Sequence, residues 1–252
     1  MRGRILTAAL LPAAVAALAC VALASKRIPL PERLSHLAGA RQVLIVQGAT
    51  RHGHHGTIQG WERDASGKWR QVIATQSARL GVNGLVSPRH RREGDHRTPE
   101  GTYRLTFAFG YRRDPGTQLP YKRLDRNDYW AGDRRDPRTY NLFQGRHPST
   151  ARWRTSHAEH LIAIRPQYRY AINIDWNRPR GVHRTSDGQR VASEPAHTHR
   201  GYAIFLHTFG PKSYTLGCVA IKPRQLVRIL RWLRPEMHPR IVIGTAKDIA
   251  GR

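Results

Sequence analysis

From Arg41 onward the chain alternates apolar and polar residues in short runs, the mark of strands that turn one face toward a core. Such runs are Val43–Val46, Trp69–Ala74, Tyr103–Phe107, His160–Ile164, Tyr202–His207, Gly217–Ile221 and Ile241–Ile243. The most regular is Tyr168–Asp175, with tyrosines and isoleucines on one face and Arg169, Asn173 and Asp175 on the other. Connections rich in Gly, Pro and Asp, notably Asp114–Gly116 and Asp133–Arg138, separate the runs as loops. One segment has helical spacing: after Pro223, residues Leu226, Val227, Leu230 and Leu233 predict an apolar stripe, which Pro235 ends. No internal repeat is visible. The pattern predicts a mainly β fold, a single domain over 41–252 with one late α-helix.

A different pattern precedes it. Residues 1–24 place Arg2 and Arg4 before an uncharged apolar stretch ending in Ala22-Leu23-Ala24, which reads as an export signal. Three outcomes stay open: cleavage before Ser25, lipidation at Cys20, and retention as an anchor, because about 20 apolar residues span a bilayer. The expected location is therefore outside the cytoplasmic membrane, in the cell wall or medium, with membrane contact only through an uncleaved or lipidated N-terminus. Residues 25–40, with Pro29 and Pro31, read as a linker.

Charge narrows the partners. The 252 residues carry 43 Lys and Arg against 17 Asp and Glu, a formal +26 that favours nucleic acid, a membrane surface or an acidic wall polymer. Hydrophobic content of 39% excludes a disordered or collagen-like chain. The clusters Arg89/Arg91/Arg92, Arg112/Arg113 and Arg134/Arg135 fall in predicted loops and read as solvated. With Cys20 and Cys218 as the only cysteines, a disulfide framework, a cysteine-rich zinc site and an iron–sulfur cluster are excluded. His52-Gly53-His54-His55 and His197-Thr198-His199 resemble fragments of metal sites but read as loop histidines. Trp61, Trp69 and Trp130 suit either core packing or stacking on sugars or bases.

The strongest chemical feature is Phe205-Leu206-His207 followed by Gly217-Cys218-Val219-Ala220-Ile221. A free thiol with a pKa of about 8.5 needs a base to act at neutral pH, and His207 is the nearest candidate. An antiparallel turn through Gly210-Pro211 is predicted to set the two side by side. The imidazole is then expected within hydrogen-bond reach of the sulfur, as an imidazolium that holds the thiolate below an ordinary thiol pKa. Gly217 permits close backbone approach, and the Gly217 and Cys218 amides suit an oxyanion. The same spacing also fits a small buried cysteine beside a satisfied histidine.

These residues resemble the active-site motif of the L,D-transpeptidases of the YkuD type: an upstream His, a loop, then Ser/Thr-His-Gly-Cys. Here the motif stands as His207, then Thr215-Leu216-Gly217-Cys218. The block Glu93-Gly94-Asp95-His96-Arg97-Thr98-Pro99-Glu100-Gly101-Thr102-Tyr103 is similar to the family's Gly-Asp-x-x-Thr-Pro-x-Gly-x-aromatic segment. With Tyr140-Asn141, Glu159-His160-Leu161 and the strand at Ile241, the resemblance covers Arg41 to Thr245, in the short-loop branch that lacks a histidine before Gly-Cys. The chain departs from the pattern at Leu216, in a shorter His-to-Cys loop, and at Ala220, where many members carry Arg or Asn.

The resemblance implies a single β-sandwich or barrel domain, a cysteine nucleophile, Cys218, with His207 as its base, and neither metal nor other cofactor. It implies an exported enzyme that forms 3–3 cross-links between peptidoglycan stem peptides, or trims them as a carboxypeptidase when water resolves the acyl-enzyme. Thr215 and His160 are candidates on the substrate side, His160 either as filler of the space left at Leu216 or as an ordinary strand histidine. A second class of function is a non-catalytic cationic module for wall polymer or extracellular nucleic acid. No motif for specific nucleic-acid reading supports the latter.

Overall fold

Seven of the predicted runs become strands of one nine-stranded sheet in the computed structural model, which describes residues 30–34, 37 and 39–250. The export signal, Cys20 and the Ser25 cleavage point lie outside the described residues. The order is Ala171–Ile174, Phe205–Thr208, Val219–Ile221, Trp69–Arg79, His55–Arg63, Gln42–Gly48, Arg240–Thr245, Gly101–Gly110 and Tyr121–Arg123. A further pairing of Ala171–Ile174 with Gly101–Gly110 closes the sheet on itself, so the mainly β domain is barrel-like. The expected β fold with a late helix is observed.

The interior divides into an aliphatic and an aromatic part. Leu44, Val46, Ile58, Ile73, Ile172 and Leu206 belong to the aliphatic part. The helix Pro223–Trp232 closes it with Leu226, Ile229, Leu230 and Leu233 at the i, i+3, i+4, i+7 spacing of a helix face. Ile229, not the predicted Val227, completes the stripe. In the aromatic part Trp130 stands between Phe107 and Phe205, with ring centroids at 6.1 and 4.7 Å, and Phe109 and Tyr168 pack against Phe205. Trp69 and Trp130 are buried in core packing. At the N-terminal edge Leu30, Leu34 and Leu37 lie against Val43, Ile45 and Val242.

Three local expectations are corrected. The run Tyr168–Asp175 contains only the strand Ala171–Ile174, preceded by a 3-10 turn at Gln167–Arg169. All four strand residues are buried because the strand is covered on both faces, and Asn173 satisfies its amide on Thr106 Oγ1 at 3.0 Å. His160–Ile164 is the end of a short strand, Ala158–His160, and a 3-10 turn, Leu161–Ala163. The strand His55–Arg63 was hidden by Gly56 and Gly60, which interrupt its apolar alternation.

Candidate active site

The strand that carries His207 and the strand that Cys218 leads into run parallel, not antiparallel, pairing Leu206 with Val219 and His207 with Ala220. A tight turn joins only antiparallel neighbours, so residues 209–218 must travel back along the barrel to start the next strand from the same end. The return is held at Leu80–Val82: Thr215 N–H donates to Leu80 O at 2.8 Å and Val82 N–H to Thr215 O at 2.9 Å. The register sets Cys218 beside Phe205, on the strand face that also carries His207.

Both side chains line a cleft of about 280 Å³ with Glu159, Tyr168, Thr215 and Leu216. Cys218 Sγ accepts from Phe205 N–H at 3.4 Å and its thiol donates to Ala203 O at 3.3 Å. His207 is buried, and its Nδ1–H donates to Thr208 O at 2.8 Å. A carbonyl only accepts, so the proton is on Nδ1 and Nε2 presents its lone pair. No hydrogen bond joins imidazole and thiol among the described residues, so the expected direct contact is absent. Burial lowers His207 to about 4 and pushes the Cys218 thiol up to about 12, with the Glu159 carboxylate adding to the latter. The resting pair is therefore a neutral thiol and a neutral imidazole, in place of the expected thiolate–imidazolium.

The turn around Cys218 explains several motif residues. Thr215 Oγ1 donates to Cys218 O at 2.7 Å and accepts from Gly217 N–H at 3.1 Å. Thr215 thus braces the nucleophile's own loop, and its hydroxyl is not available as the predicted substrate contact. Gly217 N–H is likewise occupied, so of the two donors expected for an oxyanion only the Cys218 N–H is taken up by no side chain among the described residues. Gly217 has φ +135°, and a Cβ there would stand 3.0 Å from Arg97 O and 3.4 Å from Arg91 Nη2. Only glycine fits that space and that backbone.

Arg91 is the largest departure from the sequence reading. It is buried at 3% exposure, not solvated, and its Nη1 pairs with Asp95 Oδ1 at 2.6 Å. Asp95 also accepts from the backbone N–H groups of Arg92 and Arg97, so the Glu93-Gly94-Asp95 block folds around a cation packed behind Gly217. Asn141 has a similar supporting part: its Oδ1 accepts from Trp130 Nε1 and from Ala203 N–H, fixing the carbonyl that receives the thiol proton.

His160 lies outside the cleft lining. Its ring stacks on Tyr129 at 4.7 Å and Nε2 meets Arg126 O at 2.9 Å, so it does not fill the space left at Leu216. Its neighbour Glu159 points into the cleft instead, a difference of one position in a strand whose successive side chains face opposite sides. Leu216 itself is 60% exposed. Near Ala220, Arg79 stacks on Phe209 at 3.8 Å and its Nη1 donates to Gly210 O and Lys212 O, so a guanidinium enters the cleft from the adjacent strand.

No match to the chain was found among curated proteins or among solved structures. Residues 65–243, which hold the Asp95 loop, the Asn141 bracket, His207 and Cys218, match the YkuD family model, the L,D-transpeptidase catalytic domain, and the chain belongs to that family.

Proposed function

We propose that the protein is an exported peptidoglycan L,D-transpeptidase that forms 3–3 cross-links through a Cys218 acyl-enzyme, and acts as an L,D-carboxypeptidase when water takes the place of the acceptor. The observation that carries this reading is a thiol and an imidazole with a free Nε2 lone pair lining one cleft of a chain of this family. With both groups neutral, catalysis starts by proton transfer during attack: Nε2 receives the Sγ–H proton as Sγ bonds to the carbonyl of the third stem residue. The imidazolium then protonates the departing D-alanine amine, and the Cys218 N–H faces the developing oxyanion. Because the barrier includes removing a proton from a thiol near 12, the pair reacts with a bound acyl donor far better than with a small alkylating reagent. The positive charge, on this reading, retains the enzyme on anionic wall polymers.

The test is incubation of the purified protein with disaccharide-tetrapeptide and mass spectrometry of both protein and products. The expected result is a covalent adduct on Cys218, dimers and tripeptide products, all absent in Cys218→Ala. Wild-type protein that binds wall polymer yet forms neither adduct nor product identifies a cationic binding module instead.

A further inference from the structure

The cleft contains one carboxylate, and the first half of the proposed reaction has no use for it. Glu159 comes from the short strand Ala158–His160, and among the cleft-lining residues it is the only acid, beside Arg79 and Lys212. Its Oε2 accepts from Tyr168 Oη–H at 2.5 Å. Its Oε1 has no hydrogen-bond partner, and no Lys, Arg or His pairs with it, among the described residues. Yet 13 ion pairs elsewhere among the described residues show how readily cations reach acids in this basic chain, Asp133 with Arg154 at 2.6 Å among them. A half-buried carboxylate without a cation is costly, and here it also opposes ionisation of Cys218. A group placed against the interest of the resting thiol suits a cation that arrives later.

The proposed reaction supplies one. The acceptor amine enters as an ammonium with a pKa of about 10, so only about one molecule in a thousand is nucleophilic at neutral pH. We propose that Glu159 binds the ammonium of the acceptor and takes its proton, so that the amine can attack the Cys218 thioester. This deepens the transpeptidase reading and rests on it. One N–H proton of R–NH3+ passes to Glu159 Oε1. The nitrogen lone pair attacks the thioester carbonyl, the C–N bond forms, and the C–S bond breaks with its electron pair returning to Sγ. The second N–H proton passes to His207 Nε2 and on to Sγ, restoring the thiol, and Glu159 releases its proton to solvent. Burial holds Glu159 at about 7, where a carboxyl group both accepts and releases a proton near neutrality. Tyr168, whose ring stands edge-on to His207 at 5.7 Å, ties this acid to the catalytic imidazole.

The test separates acceptor chemistry from donor recognition. The full chain is acetylated with p-nitrophenyl acetate, peptide mapping locates the acetyl group on Cys218, and its transfer to two amines is timed. Cadaverine is an ammonium at neutral pH; methoxyamine is neutral and needs no base to become a nucleophile. In Glu159→Gln, which keeps an acceptor for Tyr168, the ratio of cadaverine to methoxyamine rates is expected to fall by about tenfold or more. Glu159→Asp, with the carboxylate drawn back one methylene, gives a smaller fall in the same ratio and serves if the glutamine variant does not fold. A ratio equal to wild type in either folded variant overturns the proposal, as does an equal loss with both amines, which marks a structural role. Failure of the tetrapeptide to acylate wild-type Cys218, with the acetyl assay intact, overturns the stem-peptide reading and leaves the Glu159 assignment to be judged by the amine ratio.

Discussion

Two cavities open on the same aromatic cluster. One, about 280 Å³, takes Tyr168 and Cys218 for its wall; the other, about 670 Å³, takes Phe107 and Phe143. The larger is lined by Lys122, Arg146, Arg178, Arg184 and Arg190 with no carboxylate, and Arg190 lies half-buried over the Phe143 ring at 5.1 Å. The smaller has few charges, and burial has shifted the proton affinity of four of its groups, His207, Glu159, Tyr168 and Cys218; burial also shifts Tyr121 and Arg190 in the larger, but of the two only the smaller sets a thiol, an imidazole and a carboxylate together. Size and positive charge suit the holding of an anion; a thiol, an imidazole and a carboxylate in one cleft suit the movement of protons. On the proposed reading, the comparison separates retention from chemistry within one domain.

The largest effect that tests this separation is at the nucleophile. Cys218→Ala, or the nearly isosteric Cys218→Ser, is expected to abolish the acyl-enzyme seen by intact-protein mass spectrometry. Arg190→Ala is expected to keep acylation and instead weaken salt-sensitive retention on anionic wall polymer, measured by elution across ionic strength. Acylation lost in Arg190→Ala would merge the two cavities into one site.

Next comes the base. His207→Ala is expected to slow acyl-enzyme formation by about 10²–10⁴, read in single-turnover mass spectrometry. Alkylation of wild-type Cys218 by neutral iodoacetamide should begin above the free-thiol pKa of about 8.5, since the thiol is held near 12. An onset near pH 6 would restore the thiolate–imidazolium pair.

Behind the smaller cavity, Arg91→Met removes the buried cation and leaves the partly exposed Asp95 with its two backbone donors alone. The expected loss is about 1–3 kcal/mol in denaturant unfolding. Arg112→Met, at an exposed position, should stay within about 0.5 kcal/mol. Equal losses would show that Arg91 belongs with the surface arginines.

The shifted groups also predict opposing pH effects on stability. His207 is held near 4 in the folded protein against about 6.5 unfolded, so its contribution, full above about 6.5, is lost as pH falls toward 4. Glu159 has the opposite sign: raised from 4.5 to about 7, it stabilises below about 4.5 and loses that contribution as pH rises through 7. Between pH 4.5 and 6.5 the two slopes offset each other. Glu159→Gln should therefore uncover the His207 slope, up to about 3 kcal/mol of added dependence in urea titrations. Parallel profiles for wild type and variant would contradict the shifts.

The smallest effect belongs to Leu216, which is 60% exposed. Leu216→Ala should change stability by less than about 0.5 kcal/mol, and a change in KM for the stem would show that the side chain touches substrate.

Local order along the chain was enough to place most of the barrel strands, the late helix and the approach of His207 and Cys218 to one cleft. These follow from periodicity and from a motif whose residues are close in sequence. Tertiary structure decided what periodicity carries no information about. The parallel register depends on where Thr215 docks on Leu80–Val82, far away in sequence. Whether Glu159 or His160 faces the thiol depends on a one-residue phase in a three-residue strand, too short to show a pattern. Arg91 looks like any loop arginine until the Asp95 turn folds it behind Gly217, and the protonation of Cys218 and His207 follows from how completely water is removed. Residue type is written in the chain, whereas desolvation exists only once distant segments have closed over it.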